Sequence, residues 1–140
     1  MTLSASWALQ QAMHAALIAD APLGGFVSNR IYDRPPPDVI FPFVTLGDME
    51  VIAADTGEGL GVDAGATHRL TLFVWSRKNG RRETKEIMSA VYEVLHNAAL
   101  SLPGHTLVSL QFERGSIGFA GEAEAVRGQL RFRAYTETNP

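Results

Sequence analysis

Along residues 3–20 the apolar side chains recur at the helical period. Leu9, Met13, Ala16 and Leu17 stand at i, i+4, i+7 and i+8 and form one stripe. Seven Ala, Leu and Met residues between Ala8 and Leu17 add helix propensity. Ser4 or Ser6 can cap the start, and Asp20, Pro22, Gly24 and Gly25 predict the end. The best periodic match comes later, from about Arg82 to Leu100. There Ile87, Ala90, Val91, Val94, Leu95 and Ala98 share one face before Pro103-Gly104 stops the run.

Elsewhere the period drops to two. Phe26–Asp33 predicts a short strand, and Phe43–Asp48 a second one after the stiff Pro35–Pro37 connector. Thr67–Trp75 is the clearest strand: His68, Leu70, Leu72 and Val74 point one way, and Arg69, Thr71, Phe73 and Trp75 the other. Large apolar groups on both faces place it centrally. Thr106–Arg114 alternates with Val108, Leu110 and Phe112 on one face, and Gly115, Gly118 and Gly121 predict a turn region. In Glu124–Thr136, Val126, Leu130, Phe132 and Ala134 oppose Arg127, Gln129, Arg131, Arg133 and Tyr135. Residues 50–66 hold four Gly, several carboxylates and no basic residue, which predicts a long flexible acidic loop.

The order is helix, three strands, helix, two strands. It predicts an α+β fold: two helices packed on one face of a largely antiparallel four- to five-stranded sheet, in a single domain spanning 1–140. With two helices to cover it, the second face of the sheet is expected to be buried by another subunit.

Composition narrows the function. With no cysteine, thiolate metal sites, disulfides and cysteine nucleophiles drop out. A net charge of −3 argues against a general nucleic-acid coat. The longest apolar run, Ala15–Ala19, falls far short of the ~18 residues of a membrane span. The first residues carry no Lys or Arg before their apolar stretch, unlike a secretory signal. The charged fraction of 19% is low, which suits a chain whose lateral surfaces are partly covered by partners.

Candidate chemistry is sparse. His14, His68, His96 and His105 offer no metal-motif spacing. Gly115-Ser116-Ile117-Gly118 lacks the spacing of a nucleophile turn. Asp48 and Glu50 could share a strand face as an acid–base pair, but solvated loop carboxylates are the commoner case. The glycines of Gly57–Gly61 precede a strand, not a helix N-terminus, so they do not form a phosphate loop. Arg77, Lys78, Arg81, Arg82 and Lys85 crowd a turn and a helix start, where cations oppose the helix dipole and need a counterpart. Arg127, Arg131 and Arg133 line one strand face and also need one.

Two blocks resemble a known family. Ile31-Tyr32-Asp33, Pro35–Pro37 and Phe41-Pro42-Phe43-Val44-Thr45-Leu46-Gly47 look like the opening block of phage tail-completion proteins. His68-Arg69-Leu70, Val74-Trp75-Ser76-Arg77 and Gly80-Arg81, followed by the helix through Ile87 and Val91, look like the second block. Related proteins occur in siphophage tails, prophages and gene transfer agents. The resemblance implies a tail terminator, a virion structural protein without catalytic residues or cofactor. It would form a ring, typically a hexamer, at the head-proximal end of the tail tube, stop tube polymerisation and meet a neck or head-completion protein. It would act at the tail–neck junction, after a cytoplasmic stage during assembly.

DNA would slide through the lumen without specific binding, so a strongly cationic lumen is disfavoured. Glu50, Asp55, Glu58 and Asp63 are therefore expected to face the lumen or the tube. Arg77, Lys78, Arg81, Arg82, Arg127, Arg131 and Arg133 are expected at subunit or tube contacts, where guanidinium forks bind carboxylates. The competing readings are a neck protein, a small DNA-binding protein using Arg77–Lys85, and a hydrolase using Asp48 and Glu50.

Overall fold

A computed structural model describes residues 2–53, 65–77, 80–121 and 125–139. Among these, the order is α1 (Thr2–Ala19), α2 (Ala21–Val27), β1 (Ile31–Tyr32), β2 (Phe43–Ala53), β3 (Gly65–Ser76), α3 (Arg82–Leu95), β4 (Ser101–Leu102), β5 (His105–Ala120) and β6 (Ala125–Thr138). The strands form one six-stranded sheet in the order β1-β2-β3-β6-β5-β4. All neighbours are antiparallel except the short β1–β2 pair, which is parallel. The fold is therefore mixed α+β as expected, with three helices and six strands in place of two helices and four to five strands.

The third helix is α2, which replaces the terminator expected over Asp20–Gly25 and the first two residues of the strand expected over Phe26–Asp33. Asp20 accepts the Leu23 N–H at 2.9 Å as N-cap, and a proline occupies the first turn. An acidic cap followed by proline starts a helix as readily as it ends one. Only Ile31 and Tyr32 remain extended.

The helical stripes bury against one face of the sheet. Leu9, Met13 and Leu17 of α1, Leu23 and Val27 of α2, and Ile87, Val91 and Leu95 of α3 form one cluster with Val44, Leu70, Leu72, Val74, Leu130, Phe132 and Ala134. Packing is close where α3 crosses β6. A Cβ on Gly128 would stand 2.5 Å from Met88 Sδ and 2.8 Å from Thr84 Cγ2, so glycine lets the helix approach. α3 ends five residues before the expected Leu100. Asn97 adopts φ 61°, its N–H bonds to the Leu110 carbonyl, and His96 Nδ1 accepts from Phe112 N–H. The helix end is thus latched to β5.

Strand ends also differ from the pattern. β2 runs to Ala53 and β3 starts at Gly65, so both ends of the expected 50–66 loop are strand; residues 54–64 of that expectation lie outside the described residues. β5 continues through Gly115 and Gly118 to Ala120, and the turn falls at Gly121. A bulge between Leu107 and Ser109 moves Val108 off the buried face, leaving it 52% exposed. β3 is central in the sheet, flanked by β2 and β6, as its apolar faces predicted.

Candidate docking face

The face of the sheet opposite the helices is built by the alternation itself. β3 presents Arg69, Thr71, Phe73 and Trp75; β6 presents Arg127, Gln129, Arg131 and Arg133. Pairing adds Phe43, Thr45 and Glu50 from β2, and Arg114 and Ser116 from β5. This face divides into an aromatic half on β2 and β3 and a basic half on β6 and β5.

In the aromatic half, Trp75 stacks on its cross-strand partner Phe43 with centroids 5.9 Å apart and planes 12° apart. Its Nε1–H donates to Thr45 Oγ1 at 3.2 Å. Phe41 meets Phe43 edge-on at 4.9 Å. Gly47 permits the Phe73 ring to lie against β2, since a Cβ there would stand 2.8 Å from the ring and from the Thr71 carbonyl. These groups line a groove of about 550 Å³, with Pro35 along it and Asp33 and Asp48 among its lining. Arg127 bridges the two halves, its Cζ 5.3 Å from the Phe73 ring and 5.8 Å from that of Trp75. Guanidinium over an aromatic ring is attractive because the ring face is electron-rich.

In the basic half, Arg131 stands opposite Arg114 and Arg133 opposite Arg69. Of the acidic set, Glu50 sits in β2 across from Arg69, 3.9 Å from its guanidinium, and not in a loop. Asp48 stands exposed at the β2 bulge. Asp55, Glu58 and Asp63 lie outside the described residues.

Three of the cations near the start of α3 have partners inside the chain. Arg77 lies over Phe41 at 4.0 Å, Arg81 over Phe119 at 4.6 Å, and Arg82 pairs with Glu86 at 2.9 Å. Lys78 lies outside the described residues, and Lys85 is exposed. Glu83, in the first turn, accepts from Ser76 Oγ at 2.6 Å and places a favourable negative charge at the helix N-terminus.

The histidines are tied into the framework. His14 Nε2 contacts the Ile31 carbonyl at 2.8 Å, and His105 Nε2 lies 3.1 Å from Ser4 Oγ. His68 is fully buried, 2.8 Å from Thr136 Oγ1, and its Nδ1 has no hydrogen-bond partner among the described residues. Burial, and then the charge of His105, holds the His68 imidazole below its usual range. No cluster of three metal-binding side chains occurs among the described residues. No helix among them is long and apolar enough to cross a membrane.

Of the candidates singled out in the sequence, the structure brings Arg127, Arg131 and Arg133 onto one face and leaves Arg81 and Arg82 at the start of α3. It adds Arg114, which the strand pattern left at the end of a run, and the Phe41–Phe43–Trp75 stack. Only Pro42 and the aromatic density of Ile40–Phe43 hinted at that stack in the sequence.

The fold is a mixed α+β sheet with helices on one side and an aromatic and arginine surface on the other. The comparisons give the family. The profile described as "Tail completion protein gp17" matches residues 11–137. A chain in the solved structure "Virion of native gene transfer agent (GTA) particle" is 34% identical, superposes with a TM-score of 0.84, and the match covers 95% of this chain and 97% of that one. Among curated proteins none matches. The chain belongs to the phage tail-completion protein family, which is a structural family and not an enzyme family.

Proposed function

We propose that this chain forms a ring at the head-proximal end of a phage-like tail tube, where it ends tube polymerisation and joins the tail to a neck protein. The helix-free face carries this reading. Its Trp, Phe and Arg composition is the one that dominates protein interfaces, and it sits beside acidic side chains able to meet it in a neighbour. A second feature supports self-association. Beyond β4, the outer edge of β5 from Leu107 to Ala120 has no strand partner among the described residues. An unpaired edge is a template for another chain.

In this reading the arginines, Arg127, Arg131 and Arg133 on the sheet and Arg77, Lys78, Arg81 and Arg82 near α3, lie at subunit or tube contacts. The segment with Glu50, Asp55, Glu58 and Asp63 faces the lumen or the tube, so that DNA passes a surface that does not hold its phosphates. Six copies would close the ring, one domain from each chain. Imaging the protein with purified tail tubes tests the reading: particles at one end of each tube are expected, and random decoration along the tubes would overturn it.

A further inference from the structure

The basic half of the helix-free face holds more positive charge than the described residues neutralise. Arg131 opposes Arg114, and one step along the strands Arg133 opposes Arg69. All four project away from the helices, since the alternate residues Leu70, Leu130 and Phe132 are the buried ones. Directly opposed side chains have Cβ atoms ~4.5–5.5 Å apart, and like charges so placed repel. Glu50 meets Arg69. Arg114, Arg131 and Arg133 make no ion pair among the described residues.

Beside Arg114 and Arg131 stands the next cross-strand pair, Ser116 and Gln129. These four side chains, with Gly115, line a concavity of about 290 Å³. It offers two guanidinium forks, a hydroxyl and a carboxamide, and no carboxylate among the described residues lines it. A guanidinium presents N–H donors in a planar fork that matches the two oxygens of a carboxylate.

We propose that this concavity is an anion-binding site and that its occupant is a carboxylate of an extended acidic segment on a partner protein, a site that rests on the docking reading of the same face. The step from Arg131 to Arg133 is one strand repeat of two residues, ~6.6–6.8 Å. An extended segment with acidic residues at i and i+2 therefore sets one carboxylate at Arg114/Arg131 and the next at Arg69/Arg133. The surroundings favour a peptide over nucleic acid. Asp33 and Asp48 line the neighbouring groove on this face, and the whole chain carries a net −3. The positive field is thus a small island. A duplex, with one charge per ~1.7 Å, would bring phosphates against those carboxylates.

The test is fluorescence anisotropy of a labelled Glu-Ser-Glu-Ser-Glu peptide titrated with the full chain at low ionic strength. Saturable, salt-sensitive binding is expected. It should weaken about tenfold or more in the Arg114→Gln/Arg131→Gln variant, and less in Arg114→Lys, which keeps the charge but loses the fork. Lys85→Gln, in α3 and outside these contacts, should bind as the parent does. Circular dichroism verifies folding, and the double variant should melt no lower than the parent because opposed cations are removed. Unchanged peptide affinity in the double variant overturns the site. A duplex DNA oligonucleotide that binds more tightly than the peptide through the same arginines overturns the occupant. A chain that ignores the peptide yet still caps tail tubes defeats the anion site alone, whereas peptide binding without capping defeats the ring reading alone.

Discussion

Trp75 stacks on Phe43 across the β2–β3 pair, on the side of the sheet that no helix covers. The stack holds the aromatic half of the docking face in shape, with Thr45 fixing the indole N–H. Trp75→Ala should therefore lower stability by about 2–4 kcal/mol, somewhat under the range for a fully buried Trp, because the ring is only partly covered. Urea unfolding followed by circular dichroism measures this. A variant as stable as the parent would show that the stack carries no load in the monomer.

Reversal of Arg77 and Arg81 to Glu should leave the monomer folded. Each arginine sits at the surface over one ring, Phe41 or Phe119, and exposed contacts of this kind contribute little to folding. The same double change should block ring formation or tail joining, read by electron microscopy and by the yield of complete particles. Normal joining by a folded variant would remove this surface from the interface.

The His68 imidazole is buried without a partner on Nδ1 among the described residues, and its protonation is disfavoured in the folded state. Below about pH 6.5 the unfolded chain takes up a proton that the folded chain resists. Stability is thus fully present above that pH, falls as the pH drops through it, and levels off below the lowered folded value. Denaturant midpoints on both sides of about pH 6.5 should show the fall, and His68→Gln should flatten it. Equal slopes in the two proteins would assign the acid sensitivity elsewhere.

Gly128 admits α3 onto β6. Gly128→Val should cost about 1–3 kcal/mol by overpacking against Thr84 and Met88. Met88→Ala should recover part of that loss, so a double-mutant cycle over the two positions should be strongly non-additive. Additive costs would place the strain in the β6 backbone.

Asp20→Ala removes the cap of α2 and should cost about 1 kcal/mol in thermal or urea unfolding, with Asp20→Asn close to the parent. No loss in the alanine variant would show α2 to be held by Leu23 and Val27 alone.

Much of the fold was legible because single elements obey local periods. Ile87, Val91 and Leu95 of the α3 stripe are buried as its spacing required, with Ala90 and Val94 partly so, and Arg69, Phe73 and Trp75 face away from Leu70, Leu72 and Val74 as alternation required. Failures fell where one residue serves two rules. Asp20 and Pro22 end one helix and begin another. Val108 keeps the alternation in sequence but loses it in space, because the bulge inserts a residue. Glycines 115 and 118 look like turn residues yet lie in β5, where a Cβ added to Gly115 would stand 3.3 Å from Met88 Cε.

The sequence by itself determined which side chains share a strand face and which helices carry a core stripe, since those follow from periods of two and 3.6 within one element. It also set the Arg127–Arg131–Arg133 row. Only the tertiary structure decided what stands beside that row. β6 inserts between β3 and β5 because α3 carries the chain across the sheet, and that pairing puts Arg69 and Arg114 against Arg133 and Arg131. Registers between distant strands are fixed by how helix and sheet faces close on a common core, so no local pattern contains them.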